Sequence, residues 1–445
     1  MPEQQRKNAS TVFRGCFCLL TSLALLGGCA TANEPVQQTR SASPGDIQVV
    51  ESMVSPSIPP NPDVLAKQVE KVSAKSLKST GYAVFDTQGR QFAAKNDKAM
   101  VPASTMKILT AMAAIDVLGS AKTFTTKVVS AGKGKITLVG AGDPYLTIKK
   151  SKVPAQLASI EALANATAKA LKAKGVKKVA LTYDASLFSG AAYSPSWDKK
   201  WKPYTARIKS LVVNSGKSTG WRADTDPAKA AAGAFAKQLK KKGVKVSSVK
   251  PAKAPANAAE VAQVTSATVG TMVRRLLRYS DNVAAEVLAR HVALARGKAG
   301  SFNGASRALS DWLAEHGLWT GDMKIDGGSG LTPKARIKPS TLAKALGMVL
   351  ADPVYLDVSG GLPVAGKNGT LKKRFSDKTE KAGRNVVHAK TGSLKAATSL
   401  AGFVKTKDGA MLAFAFLAAH DGHHEKAANH WLDRSATVLA SCGCS

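Results

Sequence analysis

The stretch Val101-Pro102-Ala103-Ser104-Thr105-Met106-Lys107-Ile108-Leu109 sets a serine three residues before a lysine at the start of an apolar run. Proline and serine are favoured where helices begin, so the stretch predicts a helix opening at Pro102 to Ser104 and continuing to Leu118. Residues i and i+3 share a helix face, which puts the Lys107 amine within reach of the Ser104 hydroxyl. A serine nucleophile with a lysine base needs that arrangement. The tetrapeptide alone is a weak signal, better explained by an N-cap followed by a solvated lysine, so its chemistry rests on the rest of the chain.

Two distant clusters supply that context. Ser280-Asp281-Asn282 lies inside a long amphipathic helical region, Thr265 to Ala295, and His388-Ala389-Lys390-Thr391-Gly392-Ser393 leads into the apolar region Gly392 to Ala419. The latter reads as two strands joined at Lys407-Asp408-Gly409. Ser-x-x-Lys, Ser-Asp-Asn and Lys-Thr-Gly in that order form a triple suited to acyl transfer. In this reading Ser104 attacks a carbonyl and Lys107, held neutral by burial and neighbouring cations, takes the hydroxyl proton. Ser280 relays a proton to the leaving group, and Asn282 orients substrate and Lys107. Lys390 offers charge to a substrate carboxylate, with Thr391 and Ser393 as hydroxyl donors. Gly392 lets a substrate backbone lie close to the strand. The backbone N–H groups of Ser104 and Ser393 form the expected oxyanion hole.

The 445 residues suffice for a large core and two domains. A 44 % apolar fraction fits a soluble globular chain rather than a membrane bundle. Lys and Arg number 64 against 30 Asp and Glu, a formal charge of +34, which favours anionic polymers. The basic residues are dispersed, without zinc-finger spacing or aromatic interleaving, so nucleic acid is not the expected partner.

The N-terminus points to export. Arg6, Lys7 and Arg14 precede the apolar run Cys16 to Leu26, which is too short for an ordinary membrane span. Leu26-Gly27-Gly28-Cys29 resembles a bacterial lipobox, so residues 1–28 are expected to be a signal peptide and Cys29 a lipidation site; Ala30-Thr31-Ala32 would serve ordinary cleavage. Residues 29–63, rich in Pro, Ser, Gln and Thr, read as a flexible tether. Cys442 and Cys444 are close enough for a small disulfide.

Beyond the tether, Val64 to Leu77 reads as a helix and Gly81 to Ala94 as a hairpin about Asp86-Thr87-Gln88-Gly89. Between Ser120 and Val264 the texture changes to Ala/Lys-rich helices, Pro154 to Lys174 and Asp226 to Lys242, around a strand at Val179 to Tyr183. This segment, 120–264, is expected to be an inserted domain. A helix from about Lys426 to Leu439 closes the chain, so both ends build one α/β domain, 64–119 with 265–445. His420, His423, His424 and His430 lack acidic or cysteine partners at metal-ligand spacing and are read as surface residues, with no metal site.

The ordered triple makes the chain resemble the D-alanyl-D-alanine carboxypeptidase/endopeptidases of the class C low-molecular-mass penicillin-binding proteins. Supporting stretches are Gly140-Ala141-Gly142-Asp143-Pro144, Asp326-Gly327-Gly328-Ser329-Gly330-Leu331 and Leu362 to Leu371. The resemblance implies a β-lactamase/transpeptidase-like α/β fold, with a five-stranded antiparallel sheet between helices and an insertion after the Ser-x-x-Lys helix. It implies a cell-envelope serine peptidase acting on peptidoglycan stem peptides, acylated by β-lactam antibiotics, with no cofactor. Trp197, Asp198 and Tyr204 resemble the family's side-chain recognition residues, with Asp198 out of register and Lys199 and Lys200 intruding. Two alternatives stay open: a β-lactamase or esterase on the same fold, and a non-catalytic basic lipoprotein that binds wall polymers. The 176 residues between Ser104 and Ser280 exceed the spacing in class A β-lactamases, and Glu315 is read as a helix-surface residue rather than a deacylating base.

Overall fold

A computed structural model describes residues 58–150, 157–201 and 205–443. The expected signal peptide, the lipobox cysteine, nearly all of the tether, Tyr204 and Cys444 lie outside them. Chain order gives α1 (Pro62–Glu70), β1 (Ser79–Phe85), β2 (Gln91–Lys95), a 3-10 turn (Ala103–Thr105) and α2 (Met106–Leu118). Then come β3 (Thr125–Ser130), β4 (Lys135–Val139), α3 (Ile160–Ala173), β5 (Lys178–Asp184), α4 (Pro227–Lys241), β6 (Lys245–Pro251) and β7 (Glu260–Thr265). The remainder is α5 (Val269–Tyr279), α6 (Asn282–Ala295), α7 (Phe302–Glu315), α8 (Pro339–Ala351), β8 (Val387–Leu394), β9 (Ala397–Lys405), β10 (Met411–Ala419) and α9 (Glu425–Ser441).

The first sheet has the order β2-β1-β10-β9-β8, with every pair antiparallel. It joins an N-terminal hairpin to three C-terminal strands, as the architecture expected from both chain ends requires. Strand alternation distributes its side chains to two cores. Phe414, Phe416 and Leu412 face α1 and α9, whereas Ala413, Ala415 and Leu417 face the layer built on α2 and α8. The small residues on that second face let α8 pack closely. Deep in this layer, α2 is buried around its whole circumference from Met106 to Ile115. A helix apolar on every side belongs in the middle of a core. Lys107 is its one charged member in that span.

The second sheet, β6-β5-β4-β3-β7, lies between residues 125 and 265. Its strands β4, β5 and β6 run parallel, and α3 and α4 provide the crossovers. Leu163, Phe235 and Leu239 from those helices cover Leu138 and Leu181 of the sheet.

Four elements differ from the sequence reading, one of them α3, which begins at Ile160 behind an extended N-cap at Ser159 rather than at Pro154. The first helix ends at Glu70 rather than Leu77, because Ser73 and Ser76 fall where the Leu65/Val69 stripe would continue. The Thr265 to Ala295 region is two helices, broken where Ser280 adopts a left-handed conformation (φ 57°) and Asp281 caps α6 by accepting from the Ala284 N–H. The C-terminal apolar region holds three strands, since β8 begins at Val387 and carries His388 to Gly392 within it.

Phe414 has no exposed surface and fills the core between the sheet and α9. Phe414→Ala is expected to destabilise the protein by about 3–5 kcal/mol, through lost transfer energy and a residual cavity. Thermal unfolding followed by circular dichroism should show a corresponding fall in Tm.

Candidate active site

The Ser-x-x-Lys element sits at the junction of the 3-10 turn and α2. Ala103, immediately before Ser104, has φ 47°, a left-handed conformation rare for a residue with a side chain. Two neighbours hold it there. Gly330 lies so close that a Cβ at that position would come within 1.9 Å of the Ala103 carbonyl oxygen, and Ser399 Oγ donates to the Pro102 carbonyl at 2.6 Å. Ser104 is half-buried, and its N–H belongs to the first turn of the helix, where such groups have no intrahelical acceptor.

Lys107 is completely buried. Its Nζ lies 2.8 Å from Ser104 Oγ, 2.7 Å from Asn282 Oδ1 and 2.6 Å from the Ser329 carbonyl oxygen. Desolvation lowers its pKa to about 7, while the charges of Glu286 and Asp281 act in the opposite direction. As an ammonium the group donates to all three oxygens. As a neutral amine it donates to Asn282 and Ser329 and turns its lone pair to the serine hydroxyl.

The break between α5 and α6 places the Ser-Asp-Asn element. Asn282 begins α6 and reaches Lys107; Ser280 is half-buried on the same turn and forms no side-chain hydrogen bond with Ser104 or Lys107. Strand β8 is the sheet edge that passes Ser104. A Cβ on Gly392 would fall 2.2 Å from Ser399 Oγ, 2.8 Å from the Pro102 carbonyl and 2.9 Å from the Ser104 nitrogen. Gly392 thus lets β8 lie against the turn bearing Ser104, an approach that the sequence reading did not anticipate.

The remaining candidates are placed as follows. Lys390 is fully buried, donates from Nζ to the Thr391 carbonyl at 2.6 Å, and has its pKa pushed well down by burial and by the charge of Lys107. Thr391 donates to Thr370 Oγ1 at 2.8 Å, and the exposed Ser393 hydroxyl donates to Glu425 at the start of α9. Asp198 is ion-paired with Lys200 at 2.9 Å, and hydrogen bonds from Lys200 keep its carboxyl below the usual range. It lines a cavity of about 490 Å³ with Trp197, Val101 and Leu394 to Ala397. That space adjoins both the serine turn and the end of β8.

Sequence reasoning missed Glu286. It is buried on α6, one turn beyond Asn282, and accepts from the N–H groups of Gly328 at 3.0 Å and Ser329 at 2.9 Å. The Ser329 carbonyl is the one that receives Lys107, so Glu286 positions the strap that positions the amine. Thr110 holds the same strap from α2 by donating to the Gly328 carbonyl at 2.6 Å. The available signal was the lone carboxylate of this helix, four residues after Asn282 and four before Arg290, on the same face.

The histidines take separate partners: His424 with Asp421, His430 with Glu380, and His420 with Thr398, the last buried and not on the surface as the sequence reading has it. Glu315 is exposed on α7 and ion-paired with Arg296. Cys442 is disulfide-bonded.

The family model described as D-Ala-D-Ala carboxypeptidase 3 (S13) matches residues 65–220 and 214–439, and the chain belongs to this family of serine-type carboxypeptidases. It is 34 % identical over 364 residues to the carboxypeptidase Rv3627c of Mycobacterium tuberculosis, covering 79 % of this chain and 77 % of that one. It is also 25 % identical over 454 residues to a D-alanyl-D-alanine carboxypeptidase of Actinomadura sp., covering 81 % of each. Its fold is similar to the crystal structure of penicillin binding protein 4 from Haemophilus influenzae, with TM-score 0.69 and 22 % identity over 84 % of this chain and 98 % of the other.

If neutral Lys107 is the base, acylation of Ser104 rises as pH increases through about 7, since the reactive fraction grows as the ammonium loses its proton. Glu286→Gln removes a charge that raises the Lys107 pKa, so the acidic limb of that profile should move to lower pH. The maximal rate should fall about tenfold or more as the strap loosens, because one amide oxygen replaces two acceptors. Stopped-flow acylation by a chromogenic β-lactam across pH 5–9 measures both; an unchanged limb would remove Glu286 from the machinery.

Proposed function

We propose that the protein removes the terminal D-alanine from peptidoglycan stem peptides, and opens D-alanine cross-links in the manner of an endopeptidase, through an acyl-enzyme on Ser104. The observation that carries this is the buried Lys107 amine, within 2.8 Å of the Ser104 hydroxyl and fixed by Asn282 and the Ser329 carbonyl. The names of the family and of the actinobacterial relatives support the substrate class.

Lys107 takes the proton from Ser104 Oγ as that oxygen bonds to the carbonyl carbon of the penultimate D-alanine. The resulting oxyanion is received by the N–H groups of Ser104 and Ser393. The C–N bond then breaks, and the proton passes from Lys107 through Ser280 to the departing amine. Water, deprotonated by Lys107, then attacks the ester carbonyl; the bond to Ser104 Oγ breaks and Lys107 returns the proton to that oxygen. Thr391 and Ser393, on the exposed edge of β8, dock the substrate carboxylate. Lys390, buried behind them, holds this edge by donating to the Thr391 carbonyl rather than by touching the substrate. The cavity by Asp198 and Trp197 holds the stem-peptide side chain.

In this reading residues 64–119 and 265–445 are the catalytic domain and 120–264 an insertion. The protein works in the cell envelope, exported by residues 1–28 and anchored by lipid at Cys29, with anionic wall polymers as partners.

Purified protein incubated with a fluorescent penicillin should yield a long-lived adduct, and a stem pentapeptide should lose D-alanine. Ser104→Ala should abolish both, and Lys107→Ala should lower acylation by at least about a thousandfold while leaving the circular dichroism spectrum intact. Rapid turnover of the penicilloyl adduct would instead favour a β-lactamase. An adduct that survives Ser104→Ala would sink the mechanism.

A further inference from the structure

The second sheet carries a charge asymmetry that acylation does not use. Between residues 120 and 264 the chain has 27 Lys and Arg against 7 Asp and Glu. Because β4, β5 and β6 are parallel, the turns that lead into them lie side by side at one end of the sheet. The turn into β4 carries Lys133 and Lys135. The turn from α3 into β5 carries Lys172, Lys174, Lys177 and Lys178. The turn from α4 into β6 carries Lys240, Lys241, Lys242 and Lys245. All are exposed, and among the described residues none is engaged in an ion pair.

Carboxylates of the same elements lie at the opposite end, where lysines accompany them: Glu161 in the first turn of α3 near Lys150, Asp226 capping α4 near Lys229, and Asp184 closing β5 near Lys253. Helix C-termini attract cations, which accounts for Lys172, Lys240 and Lys241. It does not account for Lys133, Lys135, Lys177, Lys178 and Lys245, which stand in turns or at strand starts. A cleft of about 390 Å³ opens here, lined by Lys133, Lys135 and Lys174 and by the backbone of Gly132 and Gly134; Glu260 is its one carboxylate. Two strand spacings separate β4 from β6, so the three turns span about 10 Å, the width of a single polymer strand.

We propose that this end of the sheet is a docking surface for a flexible phosphate-bearing polymer of the cell wall, a proposal that rests on the envelope reading above. The cations are all lysine, point charges on mobile stems that suit scattered phosphates rather than planar bidentate recognition. The turns carry no aromatic side chain on which a base could stack. None of the large exposed apolar side chains lies in them, so an interfacial membrane anchor is missing at this end. Docking there would hold the enzyme on the wall while the acylation site works on stems nearby, raising their effective concentration.

The test is cosedimentation of the purified full chain with wall sacculi that retain their phosphate polymers, with the same sacculi stripped of them by acid, with anionic phospholipid vesicles and with duplex DNA. The triple variant Lys133→Glu/Lys174→Glu/Lys178→Glu is compared with Lys67→Glu/Lys71→Glu/Lys75→Glu, an equal charge change on exposed residues in and after α1. Intact sacculi should bind at least tenfold more tightly than stripped ones, with affinity falling as salt rises. The first variant should lose at least tenfold and the second no more than twofold, both keeping full penicillin labelling at Ser104. Equal losses in the two variants, undiminished binding to stripped sacculi, or tighter binding to vesicles or DNA would overturn the proposal. Absence of penicillin labelling in the unaltered protein would count against the acylation site alone, since sedimentation does not depend on it.

Discussion

The geometry of the acylation site depends on a single buried amine. Lys107 is the one charged residue among the ten buried residues of its helix, and an ammonium left without partners there would be unfavourable by several kcal/mol, on the order expected for an uncompensated buried ion. Three oxygens from three parts of the chain converge on it: the Ser104 hydroxyl, the Asn282 side chain and the Ser329 carbonyl. The same burial that demands these partners draws its pKa down to about 7. Stability and reactivity therefore have a common origin at this atom. Lys390, buried close by and repelled by the same charge, strengthens the tendency of the pair to hold fewer than two protons.

Helix α6 acts as the ruler that brings these parts into register. Successive turns present Asn282 to Lys107, Glu286 to the Gly328-Ser329 strap and Arg290 to the carbonyls of Ser189, Ala191 and Gly300. Beside Arg290, His291 stacks on Phe124 at 3.8 Å and hydrogen-bonds the Gly142 carbonyl at 3.0 Å. Burial holds its pKa near 4, so the imidazole stays neutral in the core. One helix face thus ties the acylation centre to the segments that enter and leave the second sheet. The break before it, at the left-handed Ser280, lets α5 and α6 change direction while keeping Ser280 and Asn282 on one turn.

Much of this was legible in the chain. Short-range chemistry writes itself into sequence: i, i+3 spacing for Ser104 and Lys107, alternation for β10, and a turn signal at Asp86 to Gly89. That turn forms as expected, with Asp86 Oδ1 accepting from the N–H groups of Gln88 and Arg90. Less legible were features decided by partners far away in sequence. The role of Gly392 follows from the approach of Ser399 and Pro102, and the contribution of Glu286 follows from a strap more than forty residues later. The partner of Asp198 is Lys200, two residues away, and both line the cavity beside the serine turn.

By itself, the sequence determined the three motifs, their order and the apolar patterns of the first sheet, because these depend on residue type and on periods of two or 3.6. Only the tertiary structure decided which groups are dry. Desolvation depends on everything packed around an atom, and it is desolvation that makes Lys107 a candidate base and hides Lys390 behind its own strand. Only the parallel order of β4, β5 and β6 gathers the lysines of three separate turns at one end of the second sheet.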